Sequence, residues 1–329
     1  MRTKNYLFII LGLFLFLMTA CGKDTTSDKH NTDGKLQIYT TVYSLKDFTE
    51  KIGGQFVEVS SILPPGTDSH TFEPDTQQMI EIAEADAFIY NGAGLEGYAS
   101  QIADVIEEEN VSILEAAKGI DLKKHTHDHV DTHGSEDKES EDEAGHAGHE
   151  GHNHGERDPH VWLDPILSIK LAEQIKDLLI EMKPDRKEAF TKNFQQLKKE
   201  LTDLDQEFHE KLSAQEEDKI IVSHAAYGYW EEAYGLEQIS IAGLSPTDEP
   251  SQKELEKIIE IAEQNNINHV LFEQNVTSKV AEVVKQEIGG EALQLHNISV
   301  LTEEDIANNE DYFSLMKQNL QVLVKALGE

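Results

Sequence analysis

Short apolar strands alternate with amphipathic helices in two separate blocks of this chain, and that alternation constrains its fold more than any other feature. Residues 36–42, rich in Leu, Ile, Tyr, Thr and Val, read as a strand. A helix follows over 45–52 and is stopped by Gly53-Gly54. A second strand over 56–63 ends at Pro64-Pro65-Gly66, residues 77–83 read as helix, and 87–90 form a short buried strand before Gly92-Ala93-Gly94. Beyond residue 215 the style recurs, with strands at 219–222, 237–241 and 269–272. Helices at 225–234, 251–265 and 278–288 alternate with them, and 311–327 closes the chain as a helix. Strand, helix, strand at this spacing predicts parallel βαβ units, so the fold class is α/β in two lobes.

Between the blocks the pattern is helical throughout. Asp164-Pro165 has the form of an N-cap followed by a first-turn proline, opening a helix toward Met182 that Pro184 breaks. The next helix carries Phe190, Phe194, Leu197, Leu201, Leu204, Phe208 and Leu212 at spacings of three and four, which aligns them on one face. A stripe of about three heptads is short for a dimerising coiled coil. The expectation is a long helical strut packed along the chain's own two lobes, in a monomer, with a ligand cleft between the lobes. The boundaries that follow are a signal segment 1–20, a tether 21–35, an amino-terminal lobe 36–183, a linking helix 184–214 and a carboxy-terminal lobe 215–329.

The amino terminus bears on location. Arg2 and Lys4 precede an apolar run over 6–18, and the small residues Thr19 and Ala20 lead into Cys21-Gly22. A run of about a dozen apolar residues is shorter than the roughly 20 needed to span a bilayer, so the pattern is that of a cleaved secretory signal. Cys21 is the only cysteine, which excludes an internal disulfide and any cysteine-based metal site. Met18-Thr19-Ala20-Cys21 resembles a bacterial lipobox, with lipid on the Cys21 thiol and a polar tether behind it. The expected place is therefore the extracytoplasmic face of a bacterial membrane, held by the lipid anchor. A formal net charge of -35 argues against nucleic acid and anionic lipid as partners.

Within the first lobe lies an insert, about 121–157, that folding alone does not explain. It packs His125, His127, His129, His133, His146, His149, His152 and His154 among Asp, Glu and Gly, with little that fills a core. Neutral imidazoles and carboxylates are the donors a borderline divalent cation prefers. Spacings such as His125-x-His127-x-His129 permit chelation without a fixed fold, so the tract reads as accessory metal-binding with zinc the first candidate, either collecting the ion for another site or measuring high zinc by filling weaker sites.

Three further histidines stand where an α/β fold places ligands. His70 lies in the loop after the second strand, His160 between Asp158-Pro159 and the capped helix, and His224 just past the strand 219–222. In open α/β sheets ligands bind beyond the carboxyl ends of strands. Singly, each reads as an ordinary loop histidine; together, beside a His-rich insert on an exported chain, they read as a three-imidazole site typical of Zn2+.

The motifs around them carry a resemblance. Gly66 to Pro74 with His70, the run Asp158-Pro159-His160-Val161-Trp162-Leu163-Asp164-Pro165, and Ser223-His224-Ala225-Ala226-Tyr227-Gly228-Tyr229 occur in order, followed by Phe272-Glu273-Gln274 with Ser278-Lys279. With the His- and acid-rich insert before His160, they resemble the zinc-specific solute-binding lipoproteins of bacterial ABC importers, over roughly residues 36–329. The resemblance implies that His70, His160 and His224 hold zinc. It also implies that the chain carries no chemistry of its own, delivering Zn2+ to a membrane permease driven by a separate ATPase. The fourth zinc position departs from relatives that place a carboxylate late in the sequence, because Ser299 stands there. Water, Glu73, His296 or a residue of the tract remain as alternatives, and Glu273 reads as an orienting group rather than a ligand. A third histidine where manganese and iron binders use carboxylates favours zinc.

Two other functions fit the same residues. Three histidines with an open fourth position can activate water, making a metallohydrolase with Glu73 or Glu273 as base, although no His-Glu-x-x-His pair is present. A surface adhesin using zinc structurally is the other.

Overall fold

The computed structural model describes residues 34–106, 110–124, 157–275 and 278–328. The signal segment, Cys21, nearly all of the tether and the eight tract histidines from His125 to His154 lie outside the described residues.

Each lobe is built on a four-stranded parallel sheet. In the first, β1 (Leu36–Thr40), β2 (Val57–Ser61), β3 (Ala87–Tyr90) and β4 (Ser112–Glu115) stand in the order β2-β1-β3-β4. In the second, β5 (Lys219–Val222), β6 (Glu237–Ser240), β7 (His269–Phe272) and β8 (Glu291–Gln294) repeat it as β6-β5-β7-β8. Helices α1 (Tyr43–Gly53), α2 (Thr76–Ala83) and α3 (Ala99–Ile106) belong to the first lobe. The central pair is α4 (Pro165–Met182) and α5 (Lys187–Leu212). The second lobe adds α6 (Gly228–Tyr234), α7 (Gln252–Gln264), α8 (Lys279–Glu287) and α9 (Glu303–Asn308), and α10 (Tyr312–Gly328) ends the described chain.

Strand alternation explains the layers. Ile38, Ala87 and Ile89 join a large core that also holds Ile220, Val222 and Leu271 of the other sheet. Phe88 points the opposite way, into a smaller cluster with Ile82 of α2 and Ile102 and Ile106 of α3. Ile221 and Val270 do the same in the second lobe, against Ile258 and Ala262 of α7 and Ala281 and Val284 of α8. Successive side chains on a strand face opposite sides, so a sheet covered on both faces needs the near-continuous apolar runs seen here.

The large core runs through both lobes because the central helices belong to it. All seven apolar residues of the α5 stripe are buried, and α5 packs against α1, α4 and α10. Each buried Leu or Phe contributes about 1.5–3 kcal/mol. Exposed pairs such as Lys199–Asp203 on the opposite face add only about 0.2–0.5 kcal/mol each. The stripe therefore fixes how the strut lies. Asp164 caps α4, its Oδ1 accepting from the backbone N–H groups of Ile166 at 2.7 Å and Leu167 at 2.8 Å. Among the described residues no helix is long and apolar enough to cross a membrane.

Two strands escape sequence reading. β4 is half-buried along its length and β8 is mostly exposed. Both are edge strands without apolar alternation, formed by pairing with β3 and β7.

Candidate metal centre

His224 lies two residues past β5, where the order of the second sheet reverses between β6 and β7. Sequence reading starts the following helix at 225, but α6 begins at Gly228, so residues 223–227 leave the strand as a loop. His70 sits in the loop joining β2 to α2. Asp68 shapes that loop, its Oδ1 accepting from the His70 backbone N–H at 3.0 Å and its Oδ2 from Thr71 Oγ1 at 3.1 Å. His160 lies in the connection that enters α4. That connection is buried and tied to both lobes. Asn91 Nδ2 donates to the Pro159 carbonyl at 3.0 Å, Tyr229 Oη to the Asp158 carbonyl at 2.7 Å, and Trp230 Nε1 to the Leu163 carbonyl at 2.7 Å.

The three rings meet. Nε2 of His160 stands 3.2 Å from Nε2 of His70 and 3.4 Å from Nε2 of His224. Ring centroids are 5.2, 5.7 and 5.2 Å apart around the triangle. His160 and His224 are each 1% exposed, and His70 is half-buried. Among the described residues these are the side chains whose ligating atoms gather closely enough to hold one metal ion.

The far sides of two rings are held by carboxylates. Asp158 Oδ1 lies 2.8 Å from His160 Nδ1 and also accepts from the His160 backbone N–H at 2.9 Å. Glu273 Oε1 contacts His224 Nδ1 directly. An ionised carboxylate only accepts, so each ring carries its proton on Nδ1 and turns an Nε2 lone pair into the triangle. Facing lone pairs repel unless a cation lies between them. Tetrahedral Zn–N bonds of about 2.05 Å place neighbouring nitrogens about 3.3 Å apart, which matches the two short separations. The donor set thus fits a zinc ion, with carboxylates behind the histidines as in many metal sites.

Electrostatics points the same way. Burial alone would push the His224 imidazole toward neutrality. Glu273, by its charge and hydrogen bond, outweighs burial, with Asp68 and Asp158 adding to it, and holds the pKa above the ordinary histidine value. The site attracts positive charge. Close approach is also required behind His160, because a Cβ on Gly228 would stand 2.6 Å from Asp158 Oδ2.

Of the alternatives for a fourth ligand, two are placed elsewhere. Glu73 is exposed. His296 accepts from the Ile298 backbone N–H through Nδ1 at 2.9 Å and turns Nε2 to Asp305 Oδ2 at 3.2 Å. Ser299 donates its hydroxyl to Asn297 Oδ1 at 2.8 Å, and the tract histidines lie outside the described residues. Sequence reading missed Asp158 and Asn297. Asp158, two residues before His160, was legible as a partner for that ring; Asn297 gave no signal.

The family model described as ZnuA, zinc-uptake complex component A, periplasmic, matches residues 38–326. The high-affinity zinc uptake system protein ZnuA of Bacillus subtilis is 35% identical over 322 residues, covering 98% of this chain and 97% of that protein. Zinc-binding lipoprotein AdcA of Streptococcus pneumoniae is 33% identical over 320 residues, and the match spans 97% of this chain but 60% of that relative. The crystal structure of Zn(II)-bound AdcA from that species superposes with a TM-score of 0.72 at 32% identity, covering 90% of this chain and 58% of that one. A laminin-binding protein of Streptococcus agalactiae, described as bifunctional with adhesin and metal-transporting activity, gives a TM-score of 0.74 at 26% identity, over 89% of this chain and 100% of that one.

Proposed function

The chain belongs to the ZnuA family of zinc-uptake components, and from that membership we propose that it captures Zn2+ in the cleft between its lobes for delivery to a membrane importer. His70, His160 and His224 are the ligands in this reading, with Asp158 and Glu273 orienting two of them. The observation that carries it is the pair of Nε2 separations, 3.2 and 3.4 Å, between rings whose Nδ1 atoms face carboxylates. The proposed partners are an ABC permease and its separate ATPase. The proposed location is the extracytoplasmic face of the membrane, with Cys21 as lipid anchor. That location agrees with the periplasmic description of the family and with the lipoprotein named among the relatives. The tract from His125 to His154 is proposed as an accessory collector.

The carrier reading is favoured over hydrolysis by what surrounds the rings. Glu273 is engaged behind His224 and Glu73 is exposed, so neither stands in the triangle as a base. Similarity to the laminin-binding protein keeps adhesion as a second reading. Growth of a deletion strain separates the two: rescue of a zinc-limited growth defect by added zinc supports uptake, and normal growth with lost laminin attachment supports adhesion.

The direct test is a competitive zinc titration with and without residues 125–154 and with His224→Ala. One tight site that survives removal of the tract and is lost with His224 is expected. Tight binding that vanishes with the tract and ignores His224 would move the receptor to the tract.

A further inference from the structure

Asn297 lies outside the triangle, yet hydrogen bonds lead from it toward all three histidines. The residue is 6% exposed, in the turn that follows β8. Its amide orientation is fixed, because the Ser299 backbone N–H and hydroxyl both donate to one side-chain atom, at 3.0 and 2.8 Å. That atom is therefore Oδ1, and Gln274 Nε2 donates to it as well at 3.0 Å. The Nδ2 group must then face the other way, where two acceptors wait.

The first acceptor is Glu273 Oε2 at 2.6 Å, on the carboxylate whose other oxygen holds His224. The second is Asn275 Oδ1 at 3.3 Å, and Asn275 Nδ2 donates in turn to the Thr67 carbonyl at 3.1 Å, in the loop that carries His70. The third route uses the backbone. The Asn297 carbonyl accepts from Trp162 Nε1 at 2.8 Å, and the Trp162 ring packs edge-on against His160 with centroids 5.3 Å apart.

The turn itself is strained. Ile298 adopts φ 55, a left-handed conformation unusual for a β-branched residue. Such strain costs on the order of 1–3 kcal/mol and persists only where the surroundings over-determine it. Here it brings Ser299 back onto Asn297 Oδ1.

We propose that Asn297 is the shared positioning residue of the site, setting His224 through Glu273, the His70 loop through Asn275, and His160 through Trp162. This rests on the zinc reading above. Its side chain then ties a ligand from each lobe, and its backbone carbonyl ties the ligand from the connection, to a common reference. Removing that side chain loosens His224 and the His70 loop together rather than one ring.

The test is a set of double-mutant cycles on the full chain in detergent micelles, with zinc affinity read against a chelator strong enough to silence weak sites. Asn297→Ala is expected to weaken zinc by about 10–100-fold, the range for groups behind metal ligands. On a Glu273→Gln or an Asn275→Ala background its penalty should shrink by more than about twofold, the smallest coupling such cycles resolve. Equal penalties in all three backgrounds, or none in the otherwise wild-type chain, would overturn the proposal. Should Asn297→Ala not fold, Asn275→Ala carries the test. It is expected to weaken zinc in the wild type and to be silent on a His70→Ala background, and no effect in the wild type would overturn the proposal. A wild type that binds no zinc, or whose tight site survives His224→Ala, would remove the zinc reading and this inference with it.

Discussion

The two lobes share one strand order, and each buries a glutamate in the segment after its third strand, yet the two carboxylates do different work. Glu96 follows β3 and is 4% exposed. Its Oε1 accepts from Thr41 Oγ1 at 2.5 Å and the Asn91 backbone N–H at 2.9 Å, and its Oε2 from the Gly92 backbone N–H at 3.0 Å. Glu273 follows β7 directly, is 5% exposed, and faces His224 and Asn297. In the first lobe the carboxylate fixes backbone, and the lobe's histidine of the triangle, His70, comes from the loop after β2. In the second it holds the ring of His224. Buried carboxylates that follow corresponding strands of a repeated fold thus serve either scaffold or site, and the neighbours decide which.

The largest effect expected from this contrast is on stability. Burial pushes the Glu96 carboxyl up to about 7 despite the hydrogen bonds it receives. The folded state then holds a proton that the unfolded chain, with an ordinary glutamate near 4.5, has released. Stability from this group is full below about pH 4.5 and falls as pH rises toward 7, by a few kcal/mol at about 1.4 kcal/mol per pKa unit. Urea unfolding of the zinc-free protein at pH 4.5 and pH 8, beside Glu96→Gln, reads it as a pH-dependent difference between the two chains. A constant difference would mean that Glu96 stays ionised throughout.

Glu273→Gln should act on zinc instead. A loss of about 10–100-fold in affinity is expected, while Glu96→Gln leaves affinity within a few-fold. Equal zinc losses in both would erase the distinction between the lobes. Proton competition sharpens the same point. Because Glu273 holds the His224 pKa above the ordinary value, protonated His224 persists to higher pH, and zinc binding should begin to weaken above pH 6.5 as the solution is acidified. A titration of affinity from pH 8 to 5.5 tests this, and Glu273→Gln should move the onset downward.

A smaller effect is expected at Gly228, where the second lobe approaches the connection to α4. Adding a methyl there meets Asp158 Oδ2, and overpacking of this kind costs about 1–3 kcal/mol. Gly228→Ala should weaken zinc through His160 by about tenfold, at the low end for groups behind metal ligands, with the Glu273 contribution intact. Thermal melts with and without zinc would show the holo form losing more than the apo form.

How much of this was legible follows from what each element depends on. The paired βαβ blocks, the Asp164-Pro165 cap and the α5 stripe were readable, because periodicity and capping are local properties. β4 and β8 were not, since their strand state comes from a neighbour and not from their own short sequences, which carry no apolar alternation. His70, His160 and His224 stood out by their places after strands and beside Asp-Pro pairs. That their Nε2 atoms meet depends on contacts across the lobes, such as Asn275 to Thr67, that lie 208 residues apart in sequence.

His296 gives the smallest expected effect and tests the site's limits. Sequence left it as a possible fourth ligand, whereas the structure commits both its ring nitrogens to Ile298 and Asp305. Burial would raise the Asp305 carboxyl, but hydrogen bonds from His296 and Thr302 outweigh it and hold the pKa at about 2. The stability this contributes is present above about pH 3.8 and is lost as pH falls toward 2. Asp305 is half-buried and keeps its two Thr302 hydrogen bonds without His296, so the His296 share is about 1 kcal/mol. His296→Gln should therefore lower stability slightly at pH 7 and leave zinc affinity unchanged. A zinc loss as large as that of Glu273→Gln would mean that His296 leaves Asp305 when the metal arrives. The second lobe would then supply two ligands to the first lobe's one, and the division of labour between Glu96 and Glu273 would extend to the ligands themselves.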